Sequence, residues 1–265
     1  MKKEKIVLGM SGGVDSSVAA ILLQKKGFEV YGVFMKNWDD KNAICNAEDD
    51  YADAVSVCNQ LNIPLKKINY TKEYKDRVFS QFLDDHKNGF TPNPDVLCNK
   101  EIKFDVFQKY AKQIGATKIA SGHYAKIVKE NDNFFISKAS DRTKDQSYFL
   151  YQLKSSLLQN IEFPLGSLLK KDIRKIAEEN NLVNASKKDS TGICFIGDRK
   201  YNDFVCQFLK TKKGKIITVD GEEIGHHDGH MYFTVGQRKG LGIGARNSAF
   251  DKPWYCLLYT SPSPR

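Results

Sequence analysis

Ser11-Gly12-Gly13-Val14-Asp15-Ser16-Ser17 stands between an apolar run and an amphipathic one. A segment so placed fits the turn from a strand into a helix. Ile6–Met10 is short and almost wholly apolar, the pattern of a buried strand. Asp15–Lys26 carries Val18, Ala19, Leu22 and Leu23 on one helical face, and Gly27 supplies a stop. Glu29–Met35 is strand-like again. Strand, turn, helix and strand in that order begin a parallel α/β sheet. At such a turn the backbone N–H groups and the positive helix end face an anion. Two glycines permit close backbone approach, three serines add hydroxyl donors, and Asp15 can hold Mg2+ or cap the helix. The segment lacks the G-K-[ST] of a Walker loop and the spacing of G-x-G-x-x-G, so neither of those nucleotide folds is expected.

The rest of the chain continues the alternation. Helices are expected over 48–61, 72–87 and 99–114, with strands over 65–70 and 118–121. Met35 ends the second strand, where its backbone either meets an adenine or simply closes a core strand. A hairpin is expected over 128–138, turning at Asn131-Asp132-Asn133. Helical pieces follow at 146–153, 170–181 and 200–210. Near Gly214 the pattern changes to a hairpin over 215–225 and a strand over 231–235. These readings divide the chain into an α/β domain over 1–205, a small β-rich domain over 206–252 and a terminal stretch over 253–265.

Composition narrows the class. The chain has 265 residues, enough to bury a core without disulfides or metals. Its longest apolar run, Val18 to Leu23, is far short of the roughly 18 residues that a membrane span needs. The first residues read as neither a secretory signal nor a transit peptide, so a cytoplasmic protein is expected. Net charge is +9, which fits either a polyanionic partner, nucleic acid first, or simply a lysine-rich solvated surface, and no membrane partner is expected.

Six cysteines occur without a C-x-x-C pair, which disfavours a zinc ribbon or thioredoxin motif. Cys98 follows Thr91-Pro92-Asn93-Pro94-Asp95-Val96-Leu97, a loop stiffened by two prolines that opens a helix. A cysteine at a helix N-terminus has a lowered pKa, and Lys100 and Lys103 push the same way. Asp95, three residues earlier, is placed for general acid/base work. Cys194 lies in Gly192-Ile193-Cys194-Phe195-Ile196-Gly197, where flanking glycines are expected to free the backbone. Cys58 and Cys206 read as small core hydrophobes and Cys45 as an inert loop residue. His226, His227, His230 and Asp228 fit no metal-ligand spacing, and no metal site is expected there. Gly236–Gly242, basic and glycine-rich, is open between a contact with RNA or a partner domain and a series of turns.

S-G-G-x-D-S together with N-P-D-x-x-C-N and G-I-C-F-I-G resembles the tRNA-specific 2-thiouridylase family of the ATP pyrophosphatase superfamily. The resemblance covers nearly the whole chain to about Tyr255. It implies an adenine nucleotide alpha hydrolase-like sheet domain followed by a small β-rich domain. It implies ATP bound by Gly9, Met10, Ser11, Gly12, Gly13, Val14, Asp15, Ser16 and Ser17, with Met35 and Gly122 also lining the site. Asn93, Pro94 and Asp95 would meet the target base, and His123, Lys144, Asp145 and Gln146 would contact tRNA. Cys98 would be the nucleophile and Cys194 the persulfide carrier, supplied by a sulfur-donor protein. The reaction implied is adenylation of the wobble uridine C2 oxygen, then sulfur transfer, leaving a Cys98–Cys194 disulfide for reduction. Leu257–Arg265 does not resemble the β-barrel that follows in the family, so a truncated chain with weakened tRNA docking is expected. The alternatives are another ligase of the same superfamily, or a nucleotide- or RNA-binding fragment without activity.

Overall fold

The computed structural model describes residues 3–38, 47–189, 193, 195–197, 199–243 and 253–257. Nine strands are found among them: β1 (Lys5–Gly9), β2 (Glu29–Lys36), β3 (Leu65–Asn69), β4 (Lys118–Ala120), β5 (Ala125–Glu130), β6 (Asn133–Lys138), β7 (Ile161–Glu162), β8 (Gly214–Ile217) and β9 (Glu223–His227). Five of them form one parallel sheet in the order β3-β2-β1-β4-β7. The parallel α/β expectation is therefore met. Within this sheet β7, two residues long, has no pattern that sequence could have exposed.

Parallel strands covered on both faces read as continuous apolar runs, and β1 obeys that rule. Ile6 and Leu8 pack with Val30 and Phe34 of β2 and with helices α1 (Val14–Lys25) and α2 (Ala47–Gln60). Val7 points the other way, to Val33, Phe104, Phe107 and Ile119. The helix α1 is buried almost all round, whereas periodicity pointed to a single apolar face. Its second contact is the helix Lys170–Glu179, so Val14, Ala20 and Ile21 are covered along with Val18 and Leu23, and Leu22 is left only partly buried.

Two further helices are built of mixed turns. One runs as α-helix over Thr71–Tyr74, π-helix over Lys75–Phe79 and α-helix over Ser80–Lys87. The other runs as α-helix over Pro94–Cys98, π-helix over Asn99–Val106 and α-helix over Phe107–Gln113. The hairpin of β5 and β6 begins three residues earlier than expected and turns at Asn131 and Asp132. Both of those residues have positive φ, the tight turn that Asn and Asp favour. The helix expected over 146–153 is a single 3-10 turn at Ser147–Phe149. The strand expected over 231–235 is also replaced, by a 3-10 turn at His230–Tyr232. No helix among the described residues is long and apolar enough to cross a membrane.

The chain packs as two units. The first is Met1–Val78 with Pro94–Gly197; the second is Phe79–Asn93 with Asp198–Arg265. In the second, Phe79 and Phe82 stack, and Phe204 and Phe208 meet Phe79 edge-on. The hairpin of β8 and β9 carries a bulge at Ile216/Ile217. Cys206, expected in the core, is exposed, because its helix ends at Val205 and its thiol turns back to the Asp203 carbonyl at 3.3 Å. Cys58 is buried as expected, and burial pushes its thiol up to about 11.

His86 belongs to this second unit and carries a pH-dependent load. Its Nε2 lies 2.5 Å from the Tyr201 hydroxyl, and its ring packs edge-on to Phe82. Burial pushes the imidazole down to about 4, with Asp85 opposing and His230 adding. The folded protein thus refuses a proton that the unfolded chain accepts below about pH 6.5. Stability is full above that value and lost as pH falls toward about 4, by about 3 kcal/mol in all. Urea unfolding across that range checks this. His86→Phe is expected to flatten the profile.

Candidate active site

The chain steps outward from β1 through β2 to β3, and outward on the other side from β4 to β7. Loops leaving the C-terminal ends of β1 and β4 therefore diverge, and α/β sheets take ligands in the crevice at such a point. Gly9–Ser17 leaves β1, and Ser121-Gly122-His123 leaves β4.

The serines shape the first loop from within. Ser16 and Ser17 donate their hydroxyls to the Gly13 carbonyl at 3.0 and 2.9 Å. Ser11 Oγ accepts the Gly13 N–H at 3.3 Å, and Ser16 Oγ accepts the Ser11 N–H at 3.2 Å. What the loop presents to an anion is therefore mainly backbone N–H at the start of α1, whose N-cap, Gly13, brings no capping side chain. Gly12 has φ +76°, and a Cβ there would lie 2.1 Å from the Asp50 carbonyl oxygen. Gly122 is tight for another reason: its Cβ would lie 3.1 Å from Ser16 N. The two loops thus lie against each other. Val14 and Met10 are buried core contacts, and Gly9 faces the Met35 methyl. Met35 is the penultimate residue of β2, its side chain packed with the core on the Phe107 side.

Several charged and polar side chains that close the loop carried no sequence signal. Asn184, buried, donates to the Gly12 carbonyl at 2.9 Å and to Ser17 Oγ at 3.0 Å. Tyr124 donates its hydroxyl to Asp15 at 2.8 Å. Burial and the Asp15 charge raise that phenol above its ordinary value. Lys170 Nζ stands 2.8 Å from Asp15 and 2.6 Å from Asp189. Asp189 also takes Lys144 at 2.8 Å and Arg174 at 3.0 Å. Burial opposes ionisation of Asp189, but hydrogen bonds and charge from Lys144 and Lys170 outweigh it and hold the carboxyl at about 2. These groups come from elements far apart in sequence, so no spacing or periodicity could have joined them.

The helix bearing Cys98 starts at Pro94, five residues earlier than expected. Pro94 is its first residue, where a fixed φ suits a helix and a missing N–H costs nothing. Cys98 is therefore one turn inside, buried, and away from the terminal N–H groups invoked to activate it. Asp95 does lie in the first turn, and burial raises its carboxyl above the ordinary range, with Lys103 opposing. Lys103 bears on His123 as well; burial first, then that charge, hold the imidazole neutral. His123 packs against Phe104 of the same helix at 6.0 Å and against Phe163, and its Nδ1 lies 2.7 Å from Ser121 Oγ. Asn99, next to Cys98, donates to the Phe149 carbonyl at 3.2 Å. Asn93 is grouped with the second unit.

Lys144, Asp145 and Gln146 adjoin this region and are partly buried, Lys144 reaching Asp189 while the other two are held by local hydrogen bonds. Asp145 accepts the Ala139 N–H at 2.7 Å and the Ser147 hydroxyl at 2.8 Å. Gln146 Oε1 accepts the Tyr124 N–H at 3.0 Å. Cys194 and Cys45 lie outside the described residues. Phe195 is buried against Trp38 at 5.5 Å and Tyr74 at 6.0 Å, and Ile196 is buried beside it. Phe195 and Ile196 are thus held in the core, while Gly192 and Cys194, on which the expected backbone freedom turns, lie outside the described residues. In the second unit, Gly236, Gly240 and Gly242 take positive φ, and Gly236 and Cys256 bond through their backbones. The turn reading of 236–242 describes their conformation.

Residues 4–198 match the family model described as tRNA methyl transferase HUP domain, and residues 202–259 match tRNA methyl transferase PRC-barrel domain. The "tRNA-specific 2-thiouridylase MnmA 1" of Geobacillus kaustophilus is 55% identical over 97% of this chain and 70% of that protein. The "tRNA-specific 2-thiouridylase MnmA" of Legionella pneumophila is 52% identical over 96% of this chain and 71% of that protein. Among solved structures, the NMN synthetase from Francisella tularensis is similar with a TM-score of 0.46 and 19% identity, over 76% of this chain and 72% of that one.

Proposed function

Since the chain belongs to the tRNA-specific 2-thiouridylase family, we propose the following account of how its own residues perform that reaction. The enzyme transfers sulfur to uridine in tRNA. ATP is the activating substrate: the C2 oxygen of the wobble uridine attacks the α-phosphate and pyrophosphate leaves. A urea-type oxygen is a poor leaving group, and adenylation lets it depart as AMP. The loop Ser11–Ser17 holds the phosphates by backbone N–H, with Gly9, Met10, Met35 and Gly122 lining the nucleotide. Tyr124 and Lys170 both engage Asp15 Oδ1, so Oδ2 is the oxygen that fits Mg2+ arriving with the phosphates. That ion would offset phosphate charge.

The terminal sulfur of a Cys194 persulfide attacks C2 as AMP departs. Cys98 thiolate then attacks Cys194 Sγ, which releases the thiocarbonyl and leaves a Cys98–Cys194 disulfide. A protein donor supplies the persulfide, and an external thiol reduces the disulfide. Asp95, whose burial favours its protonated form, is placed to shuttle a proton at the base. Asn93 and Pro94 meet the base beside it. Neutral His123 lends a ring face and a hydrogen-bonding nitrogen, and Lys144, Asp145 and Gln146 shape the surface that meets tRNA.

One junction supports the reading above the rest. Gly122 lies against Ser16 of the phosphate loop, and the next residue, His123, packs on Phe104 of the helix that carries Cys98 and Asp95. That junction supports a reading in which activation and sulfur transfer occupy neighbouring ends of one crevice. The proposed setting is the cytoplasm, with 1–205 as catalytic domain and 206–252 as a small β-rich domain. The test is mass spectrometry of tRNA from cells lacking their own thiouridylase and supplied with this chain. Restored 2-thiouridine is expected; unmodified tRNA beside soluble protein counts against activity of this chain.

A further inference from the structure

Lys170 is the least expected member of the loop's surroundings, since its ammonium is shared by two carboxylates from distant parts of the chain. Asp15 is in the first turn of α1, and Asp189 lies beyond the helix that Lys170 itself begins. The ammonium is largely buried, and it lies 5.8 Å from the centre of the Tyr124 ring. Lys144 and Arg174 also reach Asp189, so three cations surround two carboxylates where α1 turns its N-terminal N–H groups outward. Asp189 can release one cation and keep two.

We propose that Lys170 is a pyrophosphate-binding residue: its ammonium leaves Asp15 and Asp189 for the β- and γ-phosphate oxygens when ATP occupies the loop. The two carboxylates hold the cation in place while the loop is empty. On arrival of the phosphates Asp15 keeps Tyr124 on Oδ1 and would hold the accompanying Mg2+ through Oδ2, and Asp189 retains Lys144 and Arg174. The charge-assisted contacts persist on pyrophosphate after the α-phosphate bond breaks, so they favour its departure from the adenylated base. This inference rests on the reading of Ser11–Ser17 as the ATP site.

Calorimetric titration of the full chain with Mg2+ and three probes tests it: a non-hydrolysable ATP analogue, inorganic pyrophosphate and AMP. Lys170→Met is expected to weaken the analogue and pyrophosphate by about tenfold to a hundredfold, the range of a lost charged hydrogen bond. AMP, which lacks the outer phosphates, is expected to bind as before. Lys170→Arg should retain most of the affinity. Lys170→Gln serves where the methionine variant does not fold. Asp189→Asn removes a competitor for the ammonium and is expected to leave pyrophosphate binding equal or tighter. If the ion pair were merely structural, Asp189→Asn and Lys170→Met would weaken all three probes together, and that outcome overturns the proposal. Unchanged pyrophosphate affinity in Lys170→Met overturns it too. Failure of the unsubstituted chain to bind the analogue overturns the ATP reading itself, a result distinct from failure in the variants.

Discussion

Thiolation of tRNA is expected to fall below detection in Cys98→Ser, while Cys58→Ala and Cys206→Ser keep most of the activity of the parent chain. A serine hydroxyl cannot attack the Cys194 sulfur to close a disulfide, so the thiocarbonyl is not released by that route. The expected size is that of losing an essential nucleophile, on the order of a thousandfold or more. Cys58 is a buried thiol held protonated, and Cys206 is exposed beyond the end of its helix. Neither lies on the helix that starts at Pro94. The measurement is 2-thiouridine by mass spectrometry in a single turnover without reductant, with peptide mapping of the protein afterwards. A Cys98–Cys194 link is expected in the parent chain. Retained thiolation in Cys98→Ser, or a link between other cysteines, removes Cys98 from its proposed role.

Gly12→Ala is expected to remove nucleotide binding and a large part of the stability. The φ of +76° alone costs an L-residue roughly 1–2 kcal/mol. The added Cβ would also stand 2.1 Å from the Asp50 carbonyl oxygen, which must move. Overpacking of this kind costs ~1–3 kcal/mol more. Gly27→Ala is the matched control: its φ is +91°, and nothing lies within 4 Å of the added atom. Urea unfolding should therefore show a small loss for Gly27→Ala and a larger one for Gly12→Ala. Titration with an ATP analogue should show a loss for Gly12→Ala alone. Equal losses in both variants would mean that the collision with Asp50 is relieved cheaply.

What could be read in advance follows from how local each cause is. Gly12, Gly13 and the three serines build their turn from contacts within seven residues, so their identities announce the turn. The hairpin at Asn131 and Asp132 is legible for the same reason. The start of the Cys98 helix was misplaced because Pro94 was read as part of a stiff loop, when it is the first residue of the helix. The family resemblance implied tRNA contact for Asp145 and Gln146; their bonds to Ala139, Ser147 and Tyr124, which order that segment, had no sequence signal. Lys170, Asp189, Tyr124 and Asn184 were invisible because each comes to the site from far along the chain. Phe195 was not singled out, because its partners Trp38 and Tyr74 lie far away in sequence.

The pairing of β1 with β4 also bears on how this protein comes into being. Ile6 lies beside Lys118, and β4 in turn lies beside Ile161. Parallel neighbours so distant in the chain carry a heavy loop-closure entropy and fold slowly. During synthesis the phosphate loop leaves the ribosome early, but Tyr124, Lys170 and Asn184, which fasten it, follow much later. Until then α1, which the folded protein buries nearly all round, has no complete partner for Val18, Ile21 and Leu23 and is exposed to aggregation. A polyphosphate ligand cannot rescue such a nascent chain, because its binding surface does not yet exist. Chaperone dependence should thus concentrate on the interval before the Lys170–Glu179 helix emerges to cover α1.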